Sequence, residues 1–346
     1  MKPALHIKQA GFSVTVQDGG RFGYQRFGVP PSGALDDIGR QIANILVGNE
    51  RTAGALEIAA GGLAVEAAAD SVRFATAGAV GPALLKSANA TLHIPAFQSA
   101  RALRGDAIHI SAPKNGAVAY LAIEGGFDLP TALTSLSTYT RAELGGFRGR
   151  GLRAGDRLFL RADRAPDRYE VRLNVTVAAP NIIRLMRGPN DSAFESAAFE
   201  ALFSSTFTVT AASDRMGLRL NGPALARADR AESEPQATTV GALQVPGDGQ
   251  PILLLADRQT TGGYPRIATV ISADIPAAGR LTVGMTIRFQ EVSRQEALGL
   301  LREQRLWLDG LADQLQKAPM DLLSSERLLA ANLIGGVTTG AVKDIE

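Results

Sequence analysis

Arginine, aspartate, glutamine and threonine gather at three turns of the chain, in spacings suited to holding a small anion or amide. The first is Gln17-Asp18-Gly19-Gly20-Arg21-Phe22-Gly23-Tyr24. Its glycines allow close backbone approach to a ligand and expose amide groups, while Asp18 and Arg21 supply opposite charges. A hairpin turn with a local salt bridge would use the same residues. The second is Ser213-Asp214-Arg215-Met216-Gly217-Leu218-Arg219-Leu220. On a strand, Met216, Leu218 and Leu220 share one face, leaving Arg215, Gly217 and Arg219 on the other. Two guanidinium groups would then stand about 13 Å apart at Cα, flanking a glycine, either as an anion clamp or as a solvated face. The third follows the apolar run Pro251-Ile252-Leu253-Leu254-Leu255-Ala256 and delivers Asp257, Arg258, Gln259, Thr260 and Thr261 into Gly262-Gly263-Tyr264-Pro265. A strand buried on both faces holds the groups at its end rigidly, as a small-molecule site requires.

Other chemistries are excluded by composition and motif. There is no Cys among the 346 residues, which removes disulfides, thiol nucleophiles and Cys-ligated metals and permits a reducing compartment. His6, His93 and His109 sit in strand-like runs, and no HExxH occurs, so no metal site is expected. A phosphate-binding GxxxxGK[ST] loop, a GxSxG nucleophile elbow and a biotinyl Ala-Met-Lys-Met segment are likewise absent. The 36 Lys and Arg nearly balance the 34 Asp and Glu, so nucleic acid is not implied. No apolar run reaches the length of a membrane span and no signal peptide opens the chain, so a cytoplasmic protein without membrane contact is expected.

The elements that must position these turns are short. The 37 Gly and 17 Pro, against 5% aromatics, favour many strands joined by tight turns over a helical bundle. Phe12-Ser13-Val14-Thr15-Val16 alternates as a half-buried strand. Ser32 is expected to cap a helix carrying Leu35, Ile38, Ile42, Ile45 and Leu46, closed by Gly48-Asn49. From Leu56 to Leu160, apolar runs punctuated about every ten residues predict a closed or sandwiched antiparallel sheet. The polar stretch 161–168 is the linker candidate. The expected division is an N-terminal β lobe, 1–165; a β-barrel lobe, 166–292; and a helical tail, 293–346. Ser192 with Glu195 and Ser293 with Glu296 are capping-box pairs, and a last helix is expected from Asp321 to Leu333, ending at Gly335-Gly336. The tail should cover a sheet edge or a partner chain. A weak echo joins 152–159 to 281–289, each ending in Phe after an apolar-Gly pattern.

At the same turns the sequence resembles a known family. TVQDGGRFGYQRFGVPPSGALDD (15–37), ANILVGN (43–49), YLAIEGGFDLP (120–130), STYTRAELGGFRGRGLRAGDRL (137–158), SDRMGLRLNGP (213–223) and GALQVPGDGQPILLLADRQTTGGYPRIATVISADIP (241–276) carry the likeness. They resemble the allophanate hydrolase subunit 2 family, also called the KipA-like biotin-dependent carboxyltransferase family, which includes the C component of 5-oxoprolinase. The resemblance implies a mainly β, cyclophilin-like barrel architecture in two lobes. It implies a chain that works with a KipI-like B component and a separate A component, opening 5-oxo-L-proline to L-glutamate with ATP, which these partners would largely hold. The alternatives are a carboxyltransferase component of the urea carboxylase type, using carboxybiotin carried by another protein, and a non-enzymatic antagonist of a KipI-type kinase inhibitor. Carried over by position, Asp18, Asp257 and Tyr264 are the expected catalytic residues. Gln17, Arg21, Arg215, Arg219, Gln244, Gln259 and Thr260 are the expected substrate-binding residues, with Arg215 and Arg219 taking a carboxylate or phosphate. Ala278-Gly279-Arg280 departs from the family's usual Leu-Ala-Gln.

Overall fold

The computed structural model describes residues 2–228 and 234–319. Eleven strands form the first part: β1 (Ala4–Ala10), β2 (Ser13–Gln17), β3 (Ala55–Ala60), β4 (Leu63–Ala67), β5 (Ser71–Gly78), β6 (Ala83–Lys86), β7 (Thr91–Ile94), β8 (Ser99–Leu103), β9 (Ala107–Ile110), β10 (Ala119–Ile123) and β11 (Arg157–Phe159). They build two sheets, in the order β11-β1-β4-β9-β6-β7 and β2-β3-β10-β5-β8. Leu5, Ile7, Val16, Leu56, Phe74 and Leu121 are buried together in one cluster drawn from both sheets. Alternation in β2 puts Val14 and Val16 into that cluster, as the sequence pattern predicts.

Helix α1 (Asp37–Leu46) covers the outer face of the second sheet, lying on β5 and β10. Its Ile42 and Leu46 are fully buried, each worth about 1.5–3 kcal/mol of transfer free energy. Its start corrects the expected cap. The helix begins after Asp36, while Ser32 lies five residues before the first helical residue, at φ 54°, in the left-handed region, as part of a loop. The end is as expected, with Gly48 at φ 76°.

The second part follows β12 (Val171–Arg172). It comprises β13 (Ile182–Arg187), β14 (Thr206–Val209), β15 (Gly217–Asn221), β16 (Gln236–Ala237), β17 (Ala242–Gln244), β18 (Ile252–Leu254), β19 (Thr261–Gly262), β20 (Arg266–Val270) and β21 (Thr286–Glu291). Seven of these close a barrel in the order β13-β20-β17-β18-β15-β14-β21. Closure comes from a parallel pair, Ile182 opposite Arg288 through Leu185 opposite Glu291. Leu185, Phe207, Leu218, Leu220, Leu243 and Leu253 are in its core, so Arg219, Gln244 and Ile252 lie on the outer wall. The molecule is thus mainly β, a sandwich joined to a closed barrel.

The helices of this part are α2 (Ser196–Ser204), α3 (Ile275–Ala278) and α4 (Arg294–Asp309). The pair Ser192 and Glu195 does not form a capping box: residues Asp191–Ala193 make a single 3-10 turn and α2 starts only after Glu195. At α4 the box is formed, with Ser293 accepting from Glu296 N and Glu296 accepting from Ser293 N. Leu308 and Leu311 then pack into the α1 cluster, and β22 (Gln316–Lys317) pairs with β12. The described part of the tail therefore lies over α1 and beside the segment linking sandwich to barrel. That segment is held by Arg73, 1% exposed, which donates to Glu124, Glu170 and the carbonyls of Pro166 and Arg168. The expected helix at 321–333 lies outside the described residues. Among the described residues, no helix is long and apolar enough to cross a membrane.

Candidate functional site

Three strands of the barrel wall place a row of residues side by side. Arg219 on β15 stands opposite Ile252 on β18, which stands opposite Gln244 on β17. At about 4.8 Å per strand, the Arg219 and Gln244 Cα atoms are about 10 Å apart. In the next row Gly217 faces Leu254. A Cβ at Gly217 would come within 2.9 Å of the Leu253 carbonyl oxygen, so the wall needs glycine there. Above these rows is a cavity of about 400 Å³, bounded also by Gln259, Tyr264 and Met216 and, from the sandwich, by Arg141.

The cavity is rich in hydrogen-bond donors. Arg219 is exposed, and its guanidinium has no ion-pair partner among the described residues. Gln244 is 1% exposed; its Oε1 accepts from Gln259 Nε2 at 3.2 Å and its own Nε2 has no partner among the described residues. Gly262 lies against that nitrogen, at a place where a Cβ would come to 2.7 Å. Tyr264 is half exposed at the rim. Arg141 is paired with Asp214 at 3.3 Å. Thr260 is not among the residues that line the cavity; its carbonyl accepts from Thr238 N on the neighbouring turn. Beside Thr260 on the same turn, Arg258 is 3% exposed and its Nε has no partner among the described residues; burial pulls its pKa down to about 10.

Arg215 and Asp257 stand elsewhere, in the seam between sandwich and barrel, and this corrects the expected anion clamp. Arg215 Nε donates to Asp257 Oδ2 at 2.8 Å, Nη1 donates to Glu57 Oε1, and Nη2 donates to the Gly33 carbonyl at 2.7 Å. Burial would lower its pKa, but the Glu57 and Asp257 carboxylates outweigh that and raise it, so the group is a fixed cation. Glu57 Oε2 also accepts from Tyr120 Oη at 2.6 Å and Leu35 N at 2.8 Å. A second seam pair joins Arg280 Nη1 to Asp36 Oδ1 at 3.1 Å. Burial raises the Asp36 pKa to about 6 against the pull of Arg280.

Asp18, Gln17 and Arg21 form a third group, a knot inside the sandwich. The Asp18 carboxylate accepts from Gly20 N, Ser135 Oγ, Ser137 Oγ and Leu136 N, between 2.5 and 2.9 Å. Burial would raise its pKa, but those four bonds lower it below the ordinary carboxylate value. Three of these bonds fall on Oδ1 and only that from Leu136 N on Oδ2, so Asp18 anchors the 131–138 loop while also lining a cavity of about 350 Å³ away from the barrel wall. Gln17 is fully buried and donates to Thr15 Oγ1 and the Thr138 carbonyl. Arg21, also fully buried, donates to the carbonyls of Ala132 and Ser137, leaving Nη1 without a partner among the described residues.

Arg141 and Glu57 were not singled out by the sequence pattern. Glu57 had a signal: a single acid within Ala55-Leu56-Glu57-Ile58-Ala59-Ala60 must find a buried partner. Arg141 had only its place in the 137–158 motif, because the closeness of the two parts is what brings it to the barrel wall.

A sandwich joined to a closed barrel, with a donor-rich cleft on the barrel's outer wall, defines the class: the chain belongs to the family of carboxyltransferase domains, subdomains A and B, whose model matches residues 27–291. Among individual relatives, it is 38% identical over 311 residues to the C component of 5-oxoprolinase from Escherichia coli K12, covering 89% of this chain and 97% of that one. It is 37% identical over 295 residues to the protein of the same name from Haemophilus influenzae, covering 85% and 93%. The crystal structure of Kluyveromyces lactis urea amidolyase superposes with a TM-score of 0.82 at 29% identity, covering 94% of this chain and 21% of that longer one.

Proposed function

We propose that the chain is the C component of an ATP-dependent 5-oxoprolinase and that the barrel-wall cleft holds 5-oxo-L-proline. The observation that carries this is the convergence of Arg219, Gln244, Gln259 and Tyr264 on one cavity of about 400 Å³. These groups offer donors to the acceptors of 5-oxoproline, a carboxylate and a lactam carbonyl on a small ring. Arg219 takes the carboxylate. The Gln244 and Gln259 amides donate to the lactam oxygen, where negative charge grows as the amide is attacked. Tyr264 closes the rim. The lactam is resonance-stabilised, so opening it requires activation of its oxygen, which phosphoryl transfer from ATP supplies; ATP is held largely by the partner components. Holding the ring at both ends fixes it for attack. Two 5-oxoprolinase C components that this chain covers almost end to end support this reading over others.

The test is reconstitution. Purified with a KipI-like B component and an A component, the chain should release glutamate from 5-oxoproline when ATP is present. A complete trio that forms no glutamate sinks the proposal. A second reading, carboxyl transfer to urea or a similar amide from carboxybiotin carried on another protein, is favoured by the family match and by the likeness to urea amidolyase. In that case the trio would be silent, and bicarbonate- and urea-dependent ADP formation would appear with a biotin carboxylase and its carrier.

A further inference from the structure

A second cavity, of about 460 Å³, opens along the seam between sandwich and barrel. Its sandwich wall includes Ala59, Ala60 and Ala117, and its barrel wall Met216, Leu255 and Leu281. Arg215 and Asp257 also line it, but the guanidinium is already shared between Asp257, at 2.8 Å, and Glu57, so it has no charge left to offer an occupant. The volume falls within the range of small-molecule sites. Arg141, Asp214 and Met216 line both this cavity and the barrel-wall cleft, so the two meet there. The polar side chains at that junction are the Arg141–Asp214 pair, with both side chains more than half exposed. An exposed ion pair of this kind contributes little and parts readily.

We propose that the seam cavity is the second half of the ligand site, a compartment for an apolar substituent joined to the polar head on the barrel wall. This rests on the lactam reading above and widens its substrate class: the site takes 5-oxoproline-type lactam carboxylates bearing an apolar group, not the bare ring alone. The head reaches Arg219 and the glutamine amides, and the substituent passes Met216 into the seam. Apolar surface removed from water there raises affinity without any new hydrogen bond.

The experiment is calorimetric titration of the full chain with three probes: 5-oxo-L-proline, 1-benzyl-5-oxo-L-proline and benzyl alcohol. The benzyl lactam should bind at least tenfold more tightly than the parent. That advantage should vanish in Ala60→Leu, which fills the cavity from an exposed position that folding tolerates, and in Ala117→Leu. Equal affinity of the two lactams, or an advantage that survives both substitutions, overturns the proposal. Absence of binding by all three probes also overturns it. If 5-oxoproline fails to bind while benzyl alcohol binds and is lost in both variants, the apolar compartment stands and the lactam reading falls.

Discussion

Arg215 is the residue whose part in the molecule changes most between sequence and structure. Its donors are directed to Glu57 and Asp257, which are 1% and 5% exposed, so removing the cation strands two buried carboxylates. Arg215→Ala should cost about 3–5 kcal/mol, seen as a fall in the urea midpoint, because breaking a buried pair leaves uncompensated charge. Gln244→Leu should behave oppositely, keeping the midpoint near that of the parent while glutamate release by the reconstituted complex falls about a hundredfold, the usual effect of losing one oxyanion donor. Asp36 sets a pH dependence. Its folded pKa of about 6 exceeds the ordinary value of 3.8, so its contribution is fully present below that value and is lost as pH rises through 6. Asp36→Asn lacks that loss, so from about pH 4 to pH 7 its stability relative to the parent should rise by about 2–3 kcal/mol in urea titrations. A flat difference would mean that Arg280 keeps Asp36 ionised throughout. That Arg219, Gln244, Gln259 and Tyr264 line one cavity was foreshadowed by the polar turns and the family motif that carry them. Which of the polar residues would stay out of it was not, since hydrogen bonding inside the sandwich claims Gln17, Asp18 and Arg21, and nothing local to those residues distinguishes an anchor from a ligand contact.

Among the elements, those announced by hydrophobic period are where the sequence puts them, and of the two expected capping boxes one is formed. Strand β2, the apolar face of α1 and the Ser293–Glu296 box are the successes. The failures are Ser32 and Ser192, and they share a cause: a serine near the start of an apolar period is a cap only if the backbone turns helical at once. At Ser32 the loop instead runs across to the barrel, its N–H donating to the Ala256 carbonyl at 3.2 Å, and the helix waits until Asp37. Since α4 buries little but Leu308, its cap should matter locally: Ser293→Ala should weaken the first turn by about 1 kcal/mol, visible as faster amide exchange there with little change in the global melt. Gly145 is a stricter case. At φ 71°, a Cβ would come within 2.2 Å of the Ser137 carbonyl oxygen, so Gly145→Ala must displace the loop that Asp18 and Arg21 hold. The change should lower stability by more than about 1 kcal/mol in urea melts and abolish the protection of residues 131–138 in exchange measurements.

For the molecule as a whole, the turn-rich composition made a mainly β fold legible, and the family likeness supplied the barrel. The seam was not legible, because it depends on where two cores meet and not on any local pattern. Glu57, Tyr120, Asp36 and the Gly33 carbonyl on the sandwich side join Arg215, Asp257 and Arg280 on the barrel side. The parent should therefore melt in one calorimetric transition, whereas Arg215→Ala should split it into separate sandwich and barrel transitions; a single peak in the variant would assign the coupling to the apolar seam contacts. The parallel closure of the barrel also has a consequence during synthesis. β13 cannot find its parallel partner until Thr286–Glu291 has emerged, roughly 5 to 20 s later at ordinary rates of translation. Until then the ring is open, and the nascent barrel presents two unpaired strand edges to whatever chains surround the ribosome. The sandwich waits too, since β1 meets β11 only when Arg157–Phe159 has emerged, but that closure is made before the barrel begins, so release of the chain before Glu291 endangers the barrel and not the sandwich.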